Sequence, residues 1–134
     1  MSSSIFTHSL QVRFRDCDAM GHVNNAVYLT YLEETRFAYW RAVWGAEMGA
    51  LETPAVILAR AEIDYRRPAR SGERLEVRMS LESLGRTSIR SAYEIVNAGG
   101  DVIATAKSVL VVYDYKSSQA VPISEEIRAR LLGS

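Results

Sequence analysis

Residues Val12–Arg36 read VRFRDCDAMGHVNNAVYLTYLEETR, and the spacing of apolar residues changes across this stretch. Apolar and polar residues largely alternate over Phe6–Phe14, which predicts a half-buried strand. The polar segment DCDAMGHVNN that follows contains a glycine and predicts a loop. Over Ala26–Trp44 the apolar residues recur at helical spacing, which predicts one long helix. A strand, a polar loop and a helix are therefore expected in that order.

The predicted helix is apolar over most of its circumference, which is typical of a helix buried inside a domain. Asn24 or Asn25 is expected to cap its start, and Gly45 lies where a terminating glycine is common. Its apolar positions form two neighbouring stripes, Leu29, Leu32, Phe37, Trp40, Val43 and Trp44 in one and Tyr28, Tyr31, Thr35 and Tyr39 in the other.

The period of two returns after Pro54 and predicts four further strands. The last strand is apolar on both faces near its end, which places it centrally in a sheet, and Ser124 starts a short terminal helix. Helices and strands do not alternate, so an α+β fold is expected, a curved antiparallel sheet wrapped around one long central helix. The predicted strands are Ile57–Arg66, Leu75–Leu81, Ile89–Ile95 and Val102–Tyr115.

Length, composition and charge indicate a single globular domain and argue against several kinds of partner. The 134 residues suit a single domain spanning 1–134, with 48% hydrophobic and 24% charged residues. Sixteen basic and sixteen acidic residues give no net charge, so neither nucleic acid nor a membrane is an expected partner. The start MSSSIFTHSL is not predicted to be a signal peptide, and no apolar run reaches the ~20 residues of a membrane span. A cytoplasmic protein is expected.

Several polar side chains that could take part in catalysis are concentrated in the loop before the helix. A helix start presents unpaired N–H groups and partial positive charge, which stabilise a developing oxyanion. A carboxylate beside it can act as base or nucleophile, and an imidazole or amide can orient a water, so the set suits acyl transfer to water. The residues are Asp16, Cys17, Asp18, His22, Asn24 and Asn25.

The run from Val12 to Arg36 resembles the signature of the hot-dog-fold thioesterases, the superfamily of 4-hydroxybenzoyl-CoA thioesterase and the YbgC-like enzymes. The resemblance continues in IDYRRPARSGERLEVR and GRTSIRSAYEI and so covers most of the chain. It implies a hot-dog fold and hydrolysis of an acyl-CoA thioester to free acid and CoA. It also implies no metal or redox cofactor, and a homodimer or homotetramer.

Matched residue by residue, the resemblance puts the catalytic carboxylate on Asp18, as nucleophile or general base. The backbone N–H of Asn25 matches the group that binds the thioester carbonyl oxygen. YbgC-like members often carry a histidine at the position of Asn25, whereas here the histidine is His22. The string HVNN also resembles plant acyl-ACP thioesterases, so His22, Asn24 and Asn25 are all expected to orient water or substrate.

Substrate contacts are predicted from the same resemblance. The apolar helix face, with Tyr28, Tyr31 and Leu32 near its start, is expected to line an acyl pocket. The phosphates of CoA call for basic groups at the mouth of the site, because arginine binds phosphate with two parallel hydrogen bonds. Arg67 and Arg86 are the chosen candidates, from a set that also holds Arg66, Arg70, Arg90 and Lys107.

Structural roles compete with several of these assignments. Aspartates at strand ends commonly bond their own backbone, which is a ready explanation for Asp16 and an alternative for Asp18. His22 could tie down the loop, and Asn24 could serve only as a helix cap. Cys17 is not predicted to be a thiol nucleophile. The flanking aspartates disfavour its thiolate, and strand alternation would point the thiol away from both of them.

Two further groups of polar residues could take part in binding or catalysis. Asp16, Asp18 and His22 lack the tight spacing of a metal site, and His8 is too far back along the strand, so no metal is predicted. Glu33 is expected to pair with Arg36 along the helix, the alternative being that Glu33 or Glu34 acts as the catalytic base.

Three other functions remain open for the chain. An acyl-ACP thioesterase would share the chemistry but would need a basic patch for its acidic carrier protein. A hot-dog hydratase would normally carry a helix-borne histidine, which is missing here. An acyl-CoA sensor without catalysis would normally carry an additional effector domain.

Overall fold

The computed structural model describes residues 4–44 and 55–133, and the expected helix end at Gly45 lies outside them. Within these two ranges the structure contains two α-helices and six strands. In chain order they are β1 (Phe6–Gln11), α1 (Asn25–Trp44), β2 (Ala55–Tyr65), β3 (Arg74–Leu84), β4 (Ser88–Asn97), β5 (Val102–Asp114), β6 (Gln119–Ala120) and α2 (Glu125–Leu132). The short β6 is the one strand that periodicity did not predict, since two residues carry no period.

The strands form one sheet in the order β1-β3-β4-β5-β2, with β6 paired to the end of β5. All the paired strands run antiparallel. β5 lies between β4 and β2, which confirms its predicted central position. The α+β class and the curved antiparallel sheet with one long helix are confirmed.

The core lies between α1 and the sheet. The helix buries Tyr28, Tyr31, Leu32 and Trp40, none more than 3% exposed. Full burial of one such side chain stabilises a fold by roughly 1.5–3 kcal/mol, so these four residues make a large contribution to stability. The sheet side of the core is aliphatic and includes Leu75, Val77, Ile89, Ile95, Ile103 and Val112.

The prediction that α1 is buried over most of its circumference is only partly correct. Leu29 and Phe37, both in the predicted apolar arc, are 38% and 39% exposed. On the neighbouring edge strand β2, Leu58 is 47% exposed. The chain that the structure describes places nothing over this flank, so the apolar residues there stay in contact with solvent.

The prediction of a strand reaching Phe14 is wrong. β1 ends at Gln11, and a short 3-10 turn follows at Phe14–Asp16. The turn breaks the alternation of faces, so that Phe14 is 86% exposed while Asp16 is 5% exposed. For the same reason Asp16 and Asp18 do not share a face, since Asp16 is buried and Asp18 is exposed. The prediction that strand alternation points the Cys17 thiol away from both of them therefore does not hold.

Both predicted helix caps are confirmed. The side chain of Asn24 accepts a hydrogen bond from the N–H of Ala26 at 2.9 Å at the start of α1. Ser124 does the same for Ile127 at 3.1 Å in α2. Among the described residues, no helix is both long enough and apolar enough to cross a membrane.

Candidate active site

The loop between β1 and α1 is a small hairpin. Its base is closed by the Asn24 N–H, which donates to the carbonyl of Asp16 at 2.9 Å, and by a bridge between Cys17 and Val23. Nearer the tip, the Asp18 N–H donates to the carbonyl of His22 at 2.8 Å. The hairpin therefore holds residues 16–24 in one defined shape directly before the helix.

Asp18 starts the tight turn at the tip of this hairpin. Gly21 closes the turn with a hydrogen bond to the Asp18 carbonyl at 3.0 Å, at a φ of +80° that a residue with a side chain rarely adopts. Oδ1 of Asp18 accepts from the N–H groups of Met20 at 2.9 Å and His22 at 3.4 Å. Within residues 4–44 and 55–133, Oδ2 has no hydrogen-bond partner, so one carboxylate oxygen remains free.

The start of α1 leaves one backbone donor open. Asn24 satisfies the N–H of Ala26 through its side chain and the N–H of Val27 through its carbonyl at 2.9 Å. The N–H of Asn25 has no such partner among the described residues. An unpaired N–H at a helix start is a ready donor for a carbonyl oxygen or an anion.

Asp18 and Asn25 open on the same cavity, of about 250 Å³. His22, Tyr28 and Arg67 also line this cavity, so five of the predicted site residues come together. The remaining lining residues are Val23, Tyr65, Arg66 and Pro68. Asn24, Tyr31 and Arg86 do not line it.

Tyr65 is the site residue that sequence reasoning missed. Its hydroxyl donates to the carbonyl of Asn25 at 2.9 Å, and its ring lies 5.5 Å from that of Tyr28. Tyr28 in turn accepts a hydrogen bond from the N–H of Ala69 at 3.3 Å. The two tyrosines thus join the helix start to β2 and to the segment after it. A tyrosine directly before the basic pair Arg66–Arg67 was the only signal.

The basic residues are distributed unevenly. The N–H groups of Arg66 and Arg67 both donate to the carbonyl of Ile103, which holds the bend after β2 at the cavity. The guanidinium of Arg67 lies 3.6 Å from a carboxylate oxygen of Asp101, and both side chains are well exposed. Arg86 lies in the turn between β3 and β4 and is exposed, away from the cavity walls.

Asp16 and Tyr31 are bonded to each other. The Tyr31 hydroxyl donates to Oδ2 of Asp16 at 2.8 Å. Burial is the largest influence on the pKa of Asp16 and raises it, but hydrogen bonds from Arg13 and Tyr31 outweigh burial and bring the pKa below the usual 3.8. Burial, followed by the hydrogen bond to Asp16, raises the pKa of Tyr31 well above its ordinary value.

The competing groups have other partners. Glu34 accepts a hydrogen bond from the ring of His8 at 2.8 Å. Arg36 is buried and donates to the Tyr93 hydroxyl at 3.4 Å. In the described part of the chain, Glu33 and Arg36 form no ion pair, so that expectation is wrong. The Arg36 side chain extends instead to the sheet, where Tyr93 lies on β4.

Cys17 and the possible metal ligands were the remaining candidates from the sequence. The Cys17 thiol lies 3.8 Å from the Arg13 carbonyl and is half-buried. Over residues 4–44 and 55–133, no three His, Cys, Asp or Glu side chains come together as a possible metal site.

The hairpin brings a carboxylate to the start of α1, and an antiparallel sheet encloses that helix. These features define the class of the protein: a hot-dog protein with a polar cleft at the helix start. The chain belongs to the thioesterase-like superfamily, whose family model matches residues 12–131. The predicted resemblance is therefore confirmed, as is the prediction of a thioester-hydrolysing enzyme at the level of the family.

Individual relatives share most of the chain. It is 31% identical to the long-chain acyl-CoA thioesterase FadM of Escherichia coli, over 91% of this chain and 93% of the relative. It is 32% identical to a 1,4-dihydroxy-2-naphthoyl-CoA hydrolase of Synechococcus elongatus, over 87% and 88%. A thioesterase of Thermus thermophilus, solved in complex with coenzyme A and Zn, is 35% identical with a TM-score of 0.82, over 95% and 92%.

Proposed function

We propose that this protein is an acyl-CoA thioesterase that releases a free acid and CoA. One observation carries the proposal. Asp18, which has one carboxylate oxygen without a hydrogen bond, and Asn25, whose backbone N–H is unpaired, line the same cavity. A base or nucleophile and an oxyanion donor are the two groups that thioester hydrolysis requires. The relatives named for acyl-CoA substrates support CoA as the thiol carrier.

In the general-base route, Asp18 takes a proton from a water whose oxygen attacks the thioester carbonyl carbon. The carbonyl oxygen becomes an oxyanion and accepts a hydrogen bond from the N–H of Asn25, at the positive end of the α1 dipole. The intermediate then collapses, the C–S bond breaks, and the proton returns to the departing thiolate of CoA.

In the nucleophilic route, Asp18 itself attacks the carbonyl carbon, the C–S bond breaks and the CoA thiolate leaves, so that a mixed anhydride forms. Water then hydrolyses the anhydride to the free acid and the Asp18 carboxylate, and a proton from that water passes to the thiolate. The two routes differ in the fate of the carboxylate oxygens. In a single turnover in water enriched in ¹⁸O, the general-base route places the label in the product acid. Label in the Asp18 carboxylate arises only when water attacks the aspartyl carbon of the anhydride, so its presence there identifies the nucleophilic route.

The other cavity residues bind and orient. His22, which lines the cavity, orients the attacking water, and Asn24 caps the helix next to the Asn25 N–H. Tyr28 forms an apolar wall for the acyl group. Arg67, with Arg66 beside it, supplies positive charge for the CoA phosphates. Arg86 lies apart from this cavity and is not included in the proposed site.

A homodimer, or a tetramer built from two such dimers, is also proposed. β2 is an edge strand that pairs only with β5 in the described chain. Edge strands and exposed apolar side chains promote pairing with another chain. Leu29, Phe37 and Leu58 are exposed along this one flank, so a second copy would cover them.

The direct experiment is to measure release of free thiol from a panel of short, long and aromatic acyl-CoAs. Turnover of at least one member would support the proposal. Turnover of acyl-ACP in preference to every acyl-CoA would identify the carrier protein as the substrate instead. Binding of acyl-CoA without turnover would replace the proposal with that of an acyl-CoA-binding protein.

A further inference from the structure

Asp16 is the only aspartate or glutamate that is buried in the described residues. The proposed reaction does not use it, and it does not line the cavity of Asp18. Burying a carboxylate is costly unless it is paired and hydrogen-bonded, so the chain must supply its partners at this position. A charge held in this way suggests a role beyond closing a turn.

The partners of Asp16 come from both sides of the loop. Oδ2 accepts from the backbone N–H of Arg13 at 3.0 Å and from the hydroxyl of Tyr31 at 2.8 Å. The Arg13 guanidinium lies 3.5 Å from Oδ1. Tyr31 is the one partner outside the loop, and it lies on α1 about 9 Å along the helix axis from Asn25.

The backbone of Asp16 closes the hairpin that carries Asp18. Its carbonyl accepts the N–H of Asn24 at 2.9 Å, and the next pair of the hairpin, Cys17 and Val23, forms a bridge. On the helix side the hairpin base is held by the chain itself and by the Asn24 cap on Ala26, and Val23 and His22 pair with Ala69 and Arg70. On the β1 side, the hydrogen bond between Asp16 and Tyr31 is the side-chain bond that fastens the base to α1. The tip, with Asp18, is connected to the helix through both sides.

We infer that Asp16 and Tyr31 are a positioning pair that sets where the Asp18 carboxylate stands relative to the start of α1. Neither residue touches the substrate; both act through the hairpin. The chemical part of this inference rests on the proposed thioesterase function. It assigns to Tyr31 a role different from the acyl-pocket wall that the sequence predicted.

The decisive variant is Tyr31→Phe, which removes one hydroxyl and keeps the ring in the core. Misplacement of a catalytic group by about 1 Å can cost on the order of 100-fold in rate. We expect kcat to fall roughly 10- to 100-fold. KM for the acyl-CoA should change little, because the cavity walls at Tyr28 and Arg67 are untouched.

Tyr93→Phe is the matched control. Tyr93 is as buried as Tyr31, at 3% exposed, and its hydroxyl is hydrogen-bonded to Ser108 at 2.6 Å and accepts from Arg36 at 3.4 Å. It lies on β4 and does not contact the loop, so kcat should stay near the wild-type value. Equal losses of kcat in the two variants, or a raised KM alone in Tyr31→Phe, would overturn the inference.

A double-mutant cycle tests whether the two residues act as a pair. If Asp16→Asn and Tyr31→Phe act through one hydrogen bond, the double variant should be little worse than the more damaged single variant. Fully additive losses of kcat would show that they act separately, which would overturn the pairing.

Amide hydrogen exchange tests the anchoring without reference to the reaction. The N–H groups of Asp18 and Asn24 should exchange faster in Tyr31→Phe than in the wild type and should be unchanged in Tyr93→Phe. Unchanged exchange in Tyr31→Phe would overturn the inference. If Tyr31→Phe speeds this exchange but the wild-type protein hydrolyses no thioester, the anchoring role is upheld and the proposed function is refuted. The two failures can therefore be told apart.

Discussion

Two aspartates two residues apart have opposite environments. Asp16 is 5% exposed and bonded on both oxygens, whereas Asp18 is exposed with one oxygen free. The cause is the 3-10 turn at Phe14–Asp16, which interrupts the alternation of β1. The sequence predicted that this window carries the chemistry, but the period of two gave no sign of the turn. A three-residue turn is too short to leave a periodic signal, and hence Phe14 was wrongly placed in the first strand.

The Asp16 carboxylate makes a pH-dependent contribution to stability. Its pKa in the folded protein is below the usual 3.8, so it stabilises the fold above that pH, and the contribution is lost as the pH falls through the folded value. At pH 7, Asp16→Asn should lower the free energy of unfolding by about 1–3 kcal/mol. Denaturant unfolding should show the difference from wild type shrinking below pH 3.8. A difference that stays constant into acid would contradict this.

At the scale of elements, α1 links fold and chemistry because one end of it belongs to both. Its helical period and its cap were visible in the sequence, and the helix was predicted to within one residue at its start. Its exposed flank was not visible, because periodicity shows which residues share a face but not whether another element covers that face. Tyr65 was missed for a related reason, since its contact with Asn25 joins residues 40 positions apart.

The cap of α1 should matter to activity as well as to stability. Asn24→Ala removes the acceptor for the Ala26 N–H and should cost about 1 kcal/mol of unfolding free energy. It should also lower kcat, because the first turn then no longer holds the Asn25 N–H in place. Thermal unfolding and steady-state kinetics measure the two effects.

The chain offers a matched control for this variant at its other helix. Ser124→Ala removes the equivalent cap of α2, where Ser124 accepts from Ile127 at 3.1 Å. We expect a similar loss of stability with no loss of kcat. A comparable fall of kcat in both variants would mean that the effect of Asn24 is general destabilisation.

The order of strands and the uncovered flank belong to the whole molecule. The alternation and turns of β2 to β5 predicted each strand, and the central place of β5 followed from its apolar faces. The full order β1-β3-β4-β5-β2 did not follow, since it depends on pairings such as β1 with β3 between segments far apart in the chain. The exposed flank at Leu29, Phe37 and Leu58 emerges only when all elements are assembled.

If a second copy covers this flank, a charge placed there should separate the copies. Leu58→Asp should lower the mass measured by light scattering, because burying an unpaired carboxylate at an interface is unfavourable. Leu132→Asp is the control, since Leu132 on α2 is equally exposed at 47% and lies on another surface. An oligomer unaffected by Leu58→Asp, or a wild-type protein that is already monomeric, would refute the proposed interface.

The most direct test of the central claim compares two aspartates that make the same local contact. Oδ1 of Asp18 accepts from the N–H two residues on at 2.9 Å, and Oδ1 of Asp114 does so at 3.0 Å in a turn outside the cavity. The measurement is kcat/KM for an acyl-CoA in Asp18→Asn and Asp114→Asn, with thermal unfolding of both. The account predicts a loss of at least about 100-fold in Asp18→Asn alone, with both proteins folded. Retained activity in folded Asp18→Asn would contradict it and move the catalytic role to another residue.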